Sequence, residues 1–243
     1  MEHIGGITLH DLSSTAFWFG VFSIIIIDLV LSGDNAVLIA LACRNLPKSL
    51  QTKGIVYGTV GAIVLRVTFA TIMVYLLKIP FLKAIGGLLL VWIAVKLVIQ
   101  EEEESDEVDA PEKLWAAVKT IIIADAIMSL DNIVAVAGAA QGKAALLWFG
   151  LAVSIPLVVY GSRILLILME RMPWIITIGA AILGWTAGHM IYGDERIIGY
   201  LGPTATSPIF LHGYLLPIIG AVGVVLIGMI MKRRRNGEAS AVE

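Results

Sequence analysis

Eight polar residues stand where apolar ones are expected. Asp28, Ser32, Asp34 and Asn35 interrupt one long apolar run, and Asp125, Ser129, Asp131 and Asn132 interrupt another. Both sets fit D-x-x-x-S-x-D-N and lie 97 residues apart. Carboxylates, hydroxyls and amide carbonyls are all oxygen donors, and such a set suits hard divalent cations such as Mg²⁺, Ca²⁺ and Mn²⁺. Soft metals would want Cys, Met or His. Cys43 is the lone cysteine, and His3, His10, His189 and His212 show no ligand spacing. A disulfide framework and a thiolate cluster are therefore excluded.

Two arginines recur at the same offset, Arg66 and Arg163, as do Gly87 and Gly184. An arginine inside an apolar run can serve as a counter-charge that pairs a carboxylate when no cation is bound. It can also snorkel to an interface, a reading that suits Arg163, near the end of its run, better than Arg66. Four carboxylates exceed what one divalent ion needs, so the surplus could carry protons. His189 falls at the register of Trp92, so the repeat gives it no support as a ligand.

The elements that must position these residues are membrane helices. Hydrophobic residues make up 58% of the 243, charged residues 15%, and mean hydropathy is +0.91, far from the balance of a soluble domain. A net charge of −2 offers no basis for nucleic-acid binding. Glu2 and Asp11 without Lys or Arg at the N-terminus argue against a cleaved signal peptide. A span needs about 20 apolar residues, and seven fit, near 17–43, 55–77, 81–99, 114–140, 145–169, 174–193 and 214–231. Pro80, Pro173 and Gly142 punctuate the turns. Pro156 and Pro217 fall inside spans as tolerated kinks. The hydrophilic stretches are 100–113, 194–213 and the tail from Lys232, leaving no room for a soluble domain.

Lys and Arg accumulate on cytoplasmic flanks. With the tail inside, Arg44, Lys48, Lys53, Lys96, Lys113, Lys119, Arg171 and Lys232–Arg235 are cytoplasmic. Only Lys78, Lys83, Lys143 and Arg196 are outside. The expectation is N-terminus out, C-terminus in. Repeat 1 (about 17–99) and repeat 2 (about 114–193) each hold three spans, an odd number, so the second enters the membrane inverted. Such folds place their site near mid-bilayer at the repeat interface. The fold class expected is therefore an all-α polytopic membrane protein, a single transmembrane unit of two inverted three-helix repeats plus one extra helix (214–231). The acidic linker 100–113 joins the repeats as a solvated segment, and Lys232–Arg235 anchors the topology against anionic lipid.

Helix geometry adds a constraint. Asp28, Ser32 and Asn35 share a stripe, but Asp34 points roughly 120° away. Either one knot serves two neighbouring helices, or the helix unwinds near Gly33. Leu130 holds the matching position in the second knot, so unwinding is expected in span 1 only.

The paired knots and the acidic linker resemble the TerC family of bacterial integral membrane proteins, named for tellurium resistance, which is similar to the lysine-exporter superfamily. The resemblance covers nearly the whole chain. It implies export of a divalent metal, Mn²⁺ foremost, from the cytoplasm across the bacterial inner membrane. Asp28, Asp34, Asn35, Asp125, Asp131 and Asn132 are the motif positions that carry over. Longer members add soluble C-terminal domains, which the short tail here does not provide. The expectation is thus a non-enzymatic exporter without a prosthetic group, its partners a divalent cation, protons and lipid. Alternatives are Ca²⁺ as cargo, a membrane partner that helps metallate secreted enzymes, and an intramembrane aspartyl protease. The protease reading lacks the first glycine of its G-x-G-D pattern, since Leu31-Ser32-Gly33-Asp34 stands there.

Overall fold

The computed structural model describes residues 15, 18–23, 25, 33–76, 79–99, 110–139, 144–201 and 209–239, some by backbone alone, 131–139 among them. These residues form helices and the turns between them, with no strand. We number the helices α1 (Gly33–Cys43), α2 (Lys48–Leu76), α3 (Leu82–Ile99), α4 (Ala110–Ala139), α5 (Ala144–Arg171), α6 (Trp174–Tyr192), α7 (Glu195–Leu201) and α8 (Ile209–Ala239). Among the described residues, four segments are both long and apolar enough to cross a membrane: Leu82–Ile99, Gly150–Arg171, Trp174–Tyr192 and Gly213–Arg234. α2 and α4 have 29 and 30 residues. At about 1.5 Å per residue they exceed a hydrocarbon core of about 30 Å, but their charged residues lower their hydropathy.

Several helices outrun the apolar stretches that announce them. α4 begins at Ala110, not 114, so the linker expected over 100–113 gives up its last residues. Pro111 is tolerated there because a first-turn residue needs no helical N–H partner. Glu112 in the same turn complements the helix dipole. α2 begins at Lys48, where the Leu50 and Gln51 amides donate to the Pro47 carbonyl (2.7 and 3.1 Å). The stretch 194–213, expected to be polar loop, contains α7 and the start of α8. The helix expected over 214–231 runs from 209 to 239. Hydropathy marks the part of a helix that lipid can cover, while backbone hydrogen bonding continues into polar residues. Helices α5 and α8 run through Pro156 and Pro217.

α1 is the axis of the bundle. Eight of its eleven residues are buried, and it packs against α2, α3, α4, α5 and α6. A helix apolar on every side has to be surrounded on every side. The polarity of the other helices is turned inside out relative to a soluble protein. Leu88 and Trp92 of α3, Leu157 and Tyr160 of α5, and Ile218 and Val222 of α8 face outward, while Arg66, Asp125 and Ser129 are buried.

Between helices in lipid the hydrophobic effect offers little, so close approach through small residues does the packing. In α2, Gly58 and Gly61 form a groove filled by Ile121 and Ile122 of α4, while Gly54 is met by Leu46, Cys43 and Leu114. A Cβ on Gly58 would lie 2.6 Å from Ile121 Cδ1. α6 is backed by α8, where Gly184 meets the Gly220 carbonyl and Gly188 meets the Leu216 carbonyl. α6 also meets α3, where a Cβ on Gly87 would lie 2.6 Å from the Ala187 carbonyl oxygen. Gly87 and Gly184, which recur in sequence, are thus both close-approach points but with different partners.

Two turns hold one end of the bundle. At the α2–α3 turn, Pro80 precedes Phe81, a non-glycine residue at φ 59°. At the α6–α7 turn, Asp194 is buried, and its carboxylate accepts the Ala84 amide of α3 (3.1 Å) and the Arg196 amide of α7 (3.0 Å). One carboxylate thus satisfies first-turn donors of two helices.

Candidate functional site

Arg66 reaches α4 because it lies on the buried stripe of α2. Ile55, Thr59, Ala62, Ile63 and Arg66 are all buried, at the spacing of one helical face. The glycine groove brings that face against α4. Arg66 Nη2 lies 2.8 Å from Asp125 Oδ1, and Arg66 Nε donates to Ser129 Oγ at 3.0 Å. The Ser129 hydroxyl donates in turn to Asp125 Oδ2 at 3.1 Å. Asp125 and Ser129 are one turn apart on α4, so the three groups close a ring. Their exposures are 4%, 3% and 0% for Arg66, Asp125 and Ser129. Such a pair holds because each charge answers the other and further hydrogen bonds satisfy what remains.

The first knot is built differently. Asp34 Oδ1 accepts from the backbone N–H of Asn35 at 3.0 Å, and Oδ2 accepts from the Thr186 hydroxyl of α6 at 3.2 Å. Asp34 is only part-buried. Asn35 is 2% exposed, yet among the described residues neither its side-chain amide nitrogen nor its side-chain oxygen has a hydrogen-bond partner. Thr59, two turns before Arg66 on the same stripe, is buried with its hydroxyl also unpartnered among the described residues. Buried polar groups are ordinarily satisfied, each exception costing about 1–3 kcal/mol. An amide left with a donor and an acceptor open is a place for water or a polar ligand.

The remaining sequence candidates divide as follows. Asp28 and Ser32 lie outside the described residues, and with them the question of unwinding in span 1. Asp131 and Asn132 are in α4 by backbone, while their side chains lie outside the description. α4 continues unbroken through the second knot, as expected from Leu130 at the position of Gly33. Arg163 is exposed on α5. His189 is exposed on α6, as Trp92 is on α3. Among the described residues no three His, Cys, Asp or Glu side chains gather as a metal cluster.

Three polar residues were not singled out by sequence reasoning. Thr186 had no signal, since the residue 97 positions earlier is Leu89. Thr59 matches Pro156, again no echo. Asp194 could have been found as a helix cap, because Gly193-Asp194-Glu195 follows an apolar run and precedes another short one.

An all-helical bundle with apolar outer faces and a buried Arg–Asp–Ser ring is the build of a polytopic membrane protein. The chain matches the model of the integral membrane protein TerC family over residues 13–236, and it belongs to that family. It is 39% identical over 200 residues to the uncharacterized membrane protein YjbE of Bacillus subtilis, covering 82% of this chain and 89% of that one. The uncharacterized membrane protein YceF of the same organism is 28% identical over 171 residues, covering 67% and 66%. The UPF0053 protein YegH of Escherichia coli is 25% identical over 146 residues, covering 52% of this chain and 28% of that one. No solved structure matches the chain.

Proposed function

We propose that the protein exports a divalent cation, Mn²⁺ foremost, in exchange for protons, and is a transporter rather than an enzyme. The observation that carries the reading is the buried side-chain amide of Asn35, unpartnered at both ends among the described residues and adjacent to Asp34. A hard cation would take its amide oxygen and the free lone pairs of Asp34. Asp125 is held by Arg66 when no cation competes for it. Asp28, Ser32, Asp131 and Asn132 are proposed to complete the oxygen set. Dehydration separates Mn²⁺ from Mg²⁺, because Mg²⁺ sheds its water reluctantly and demands octahedral geometry.

The architecture proposed for this task is the inverted repeat of seven spans, N-terminus outside. The helix pairings support it. α1 packs on α6 and α4 on α3, while α2 packs on α4 and α1 on α5, pairs that one twofold axis would exchange. The pairs α1–α4, α2–α5 and α3–α6 would lie across that axis, with α8 added on α3 and α6. Proton coupling follows from energetics. Moving a double charge outward against an inward-negative potential costs about 4.6 kcal/mol per 100 mV, and inward proton flow can supply it.

Flux of Mn²⁺ from proteoliposomes under an imposed pH gradient tests the reading. We expect Mn²⁺ flux to survive excess Mg²⁺, with Ca²⁺ competing better than Mg²⁺. Asp34→Asn should abolish it. Undiminished uphill flux without a proton gradient, or preferred transport of Zn²⁺ or Cu⁺, would refute it. Labelling of a cysteine placed at 101–109 should need access to the cytoplasm, whereas one at 204–208 should not.

A further inference from the structure

Asp34 is aimed by a residue outside the duplicated motif. Its Oδ1 is held by the Asn35 backbone N–H of its own helix, and its Oδ2 by the Thr186 hydroxyl from α6. A carboxylate offers about four lone-pair sites, so two remain open once both contacts are made, and those two are constrained in direction. Thr186 is itself held in place by its helix. Gly184 and Gly188 lie two residues to either side of it, roughly 200° around the helix. Both abut the α8 backbone. The face of α6 that carries Thr186 is therefore turned away from α8 and towards α1, and the backbone contact with α8 leaves α6 little freedom to rotate.

We propose that Thr186 is a positioning residue for cation binding. It fixes the Asp34 carboxylate so that its open lone pairs and the unpartnered Asn35 amide converge on one cation. This rests on the reading of Asp34 as a ligand. It also gives α8, the helix without a repeat partner, a part in the site, since α8 backs the helix from which Thr186 reaches Asp34. The position 97 residues earlier is Leu89, which has no hydroxyl and is 46% exposed. The hydroxyl that holds Asp34 is therefore one that the repeat does not duplicate.

The test uses the full chain in proteoliposomes, with Mn²⁺ as the probe. Thr186→Val keeps the shape and removes the hydroxyl. We expect the KM for Mn²⁺ to rise about tenfold, as the loss of one hydrogen bond to a charged group implies. Vmax should stay within about twofold. Thr186→Ser should transport like the wild type. If Thr186→Val yields no folded protein, Thr186→Ala against Thr186→Ser carries the same comparison. Equal impairment by Val and Ser would mean that shape and not the hydroxyl matters, and would overturn the proposal. Wild-type KM in Thr186→Val with Asp34→Asn inactive would overturn it while leaving the cation-site reading intact. Full activity of Asp34→Asn would remove the cation-site reading itself.

Discussion

Arg66 and Arg163 stand at the same point of α2 and α5, 97 residues apart, yet Arg66 is buried on Asp125 and Arg163 is exposed. The two helices have been turned differently. α2 buries Ile55, Thr59, Ala62, Ile63 and Arg66, whereas α5 buries Leu151, Ser154, Val158, Ser162 and Leu166. Carried back by the repeat offset, the α5 set falls on 54, 57, 61, 65 and 69, mostly one residue out of step. One residue is about 100° of rotation. The cause lies in the groove. Gly54, Gly58 and Gly61 correspond to Leu151, Ile155 and Val158 in α5. Glycines let the α4 side chains enter α2, while the bulky residues of α5 must themselves become the knobs. A duplicated residue inherits its place in the chain, but its surroundings depend on the face its helix is made to bury.

The largest effect expected from this difference is on stability. Arg66→Met leaves Asp125 without its partner in the core and should cost about 3–5 kcal/mol. Arg163→Met should cost no more than about 0.5 kcal/mol, as for exposed positions generally. Thermal unfolding of the two variants in detergent makes the measurement, and equal losses would break the comparison. Adding Asp125→Asn to Arg66→Met should recover part of the loss, because the unpaired charge is then gone.

The groove supplies an intermediate effect. Gly58→Leu would drive a side chain into Ile121 and should cost about 1–3 kcal/mol. Trimming the knob with Ile121→Ala in the same chain should return some of that, and no recovery would mean the groove does not set the rotation of α2. The smallest effect belongs to α5. A Cβ at Gly161 would meet nothing within 4 Å, so Gly161→Ala should gain up to about 1 kcal/mol from helix propensity alone. A loss there would show that α5 packs more tightly on that face than its neighbour Arg163 indicates.

Much of the fold was legible from hydropathy and punctuation. The helices at 82–99, 144–171 and 174–192 follow apolar runs bounded by Pro80 and Pro173, because a membrane helix must be apolar for its whole crossing. The unbroken second knot could be read from Leu130, which lacks the conformational freedom of Gly33. Helix ends were less legible at Lys48, Ala110 and Ile209, since hydropathy does not report where hydrogen bonding stops. At the site, the sequence by itself singled out Asp34, Asn35, Asp125 and Ser129 as members of two matched sets. The repeat also singled out the arginines and the recurring Gly87 and Gly184. Only the tertiary structure decided that Arg66 closes on Asp125 and Ser129 while Arg163 faces outward. The same holds for Thr186 reaching Asp34, for the open amide of Asn35, and for Asp194 capping two helices at once. Each of these joins residues 59 to 152 positions apart, or depends on which face a helix turns inward. Spacing along one helix limits that choice, and the shapes of its neighbours make it.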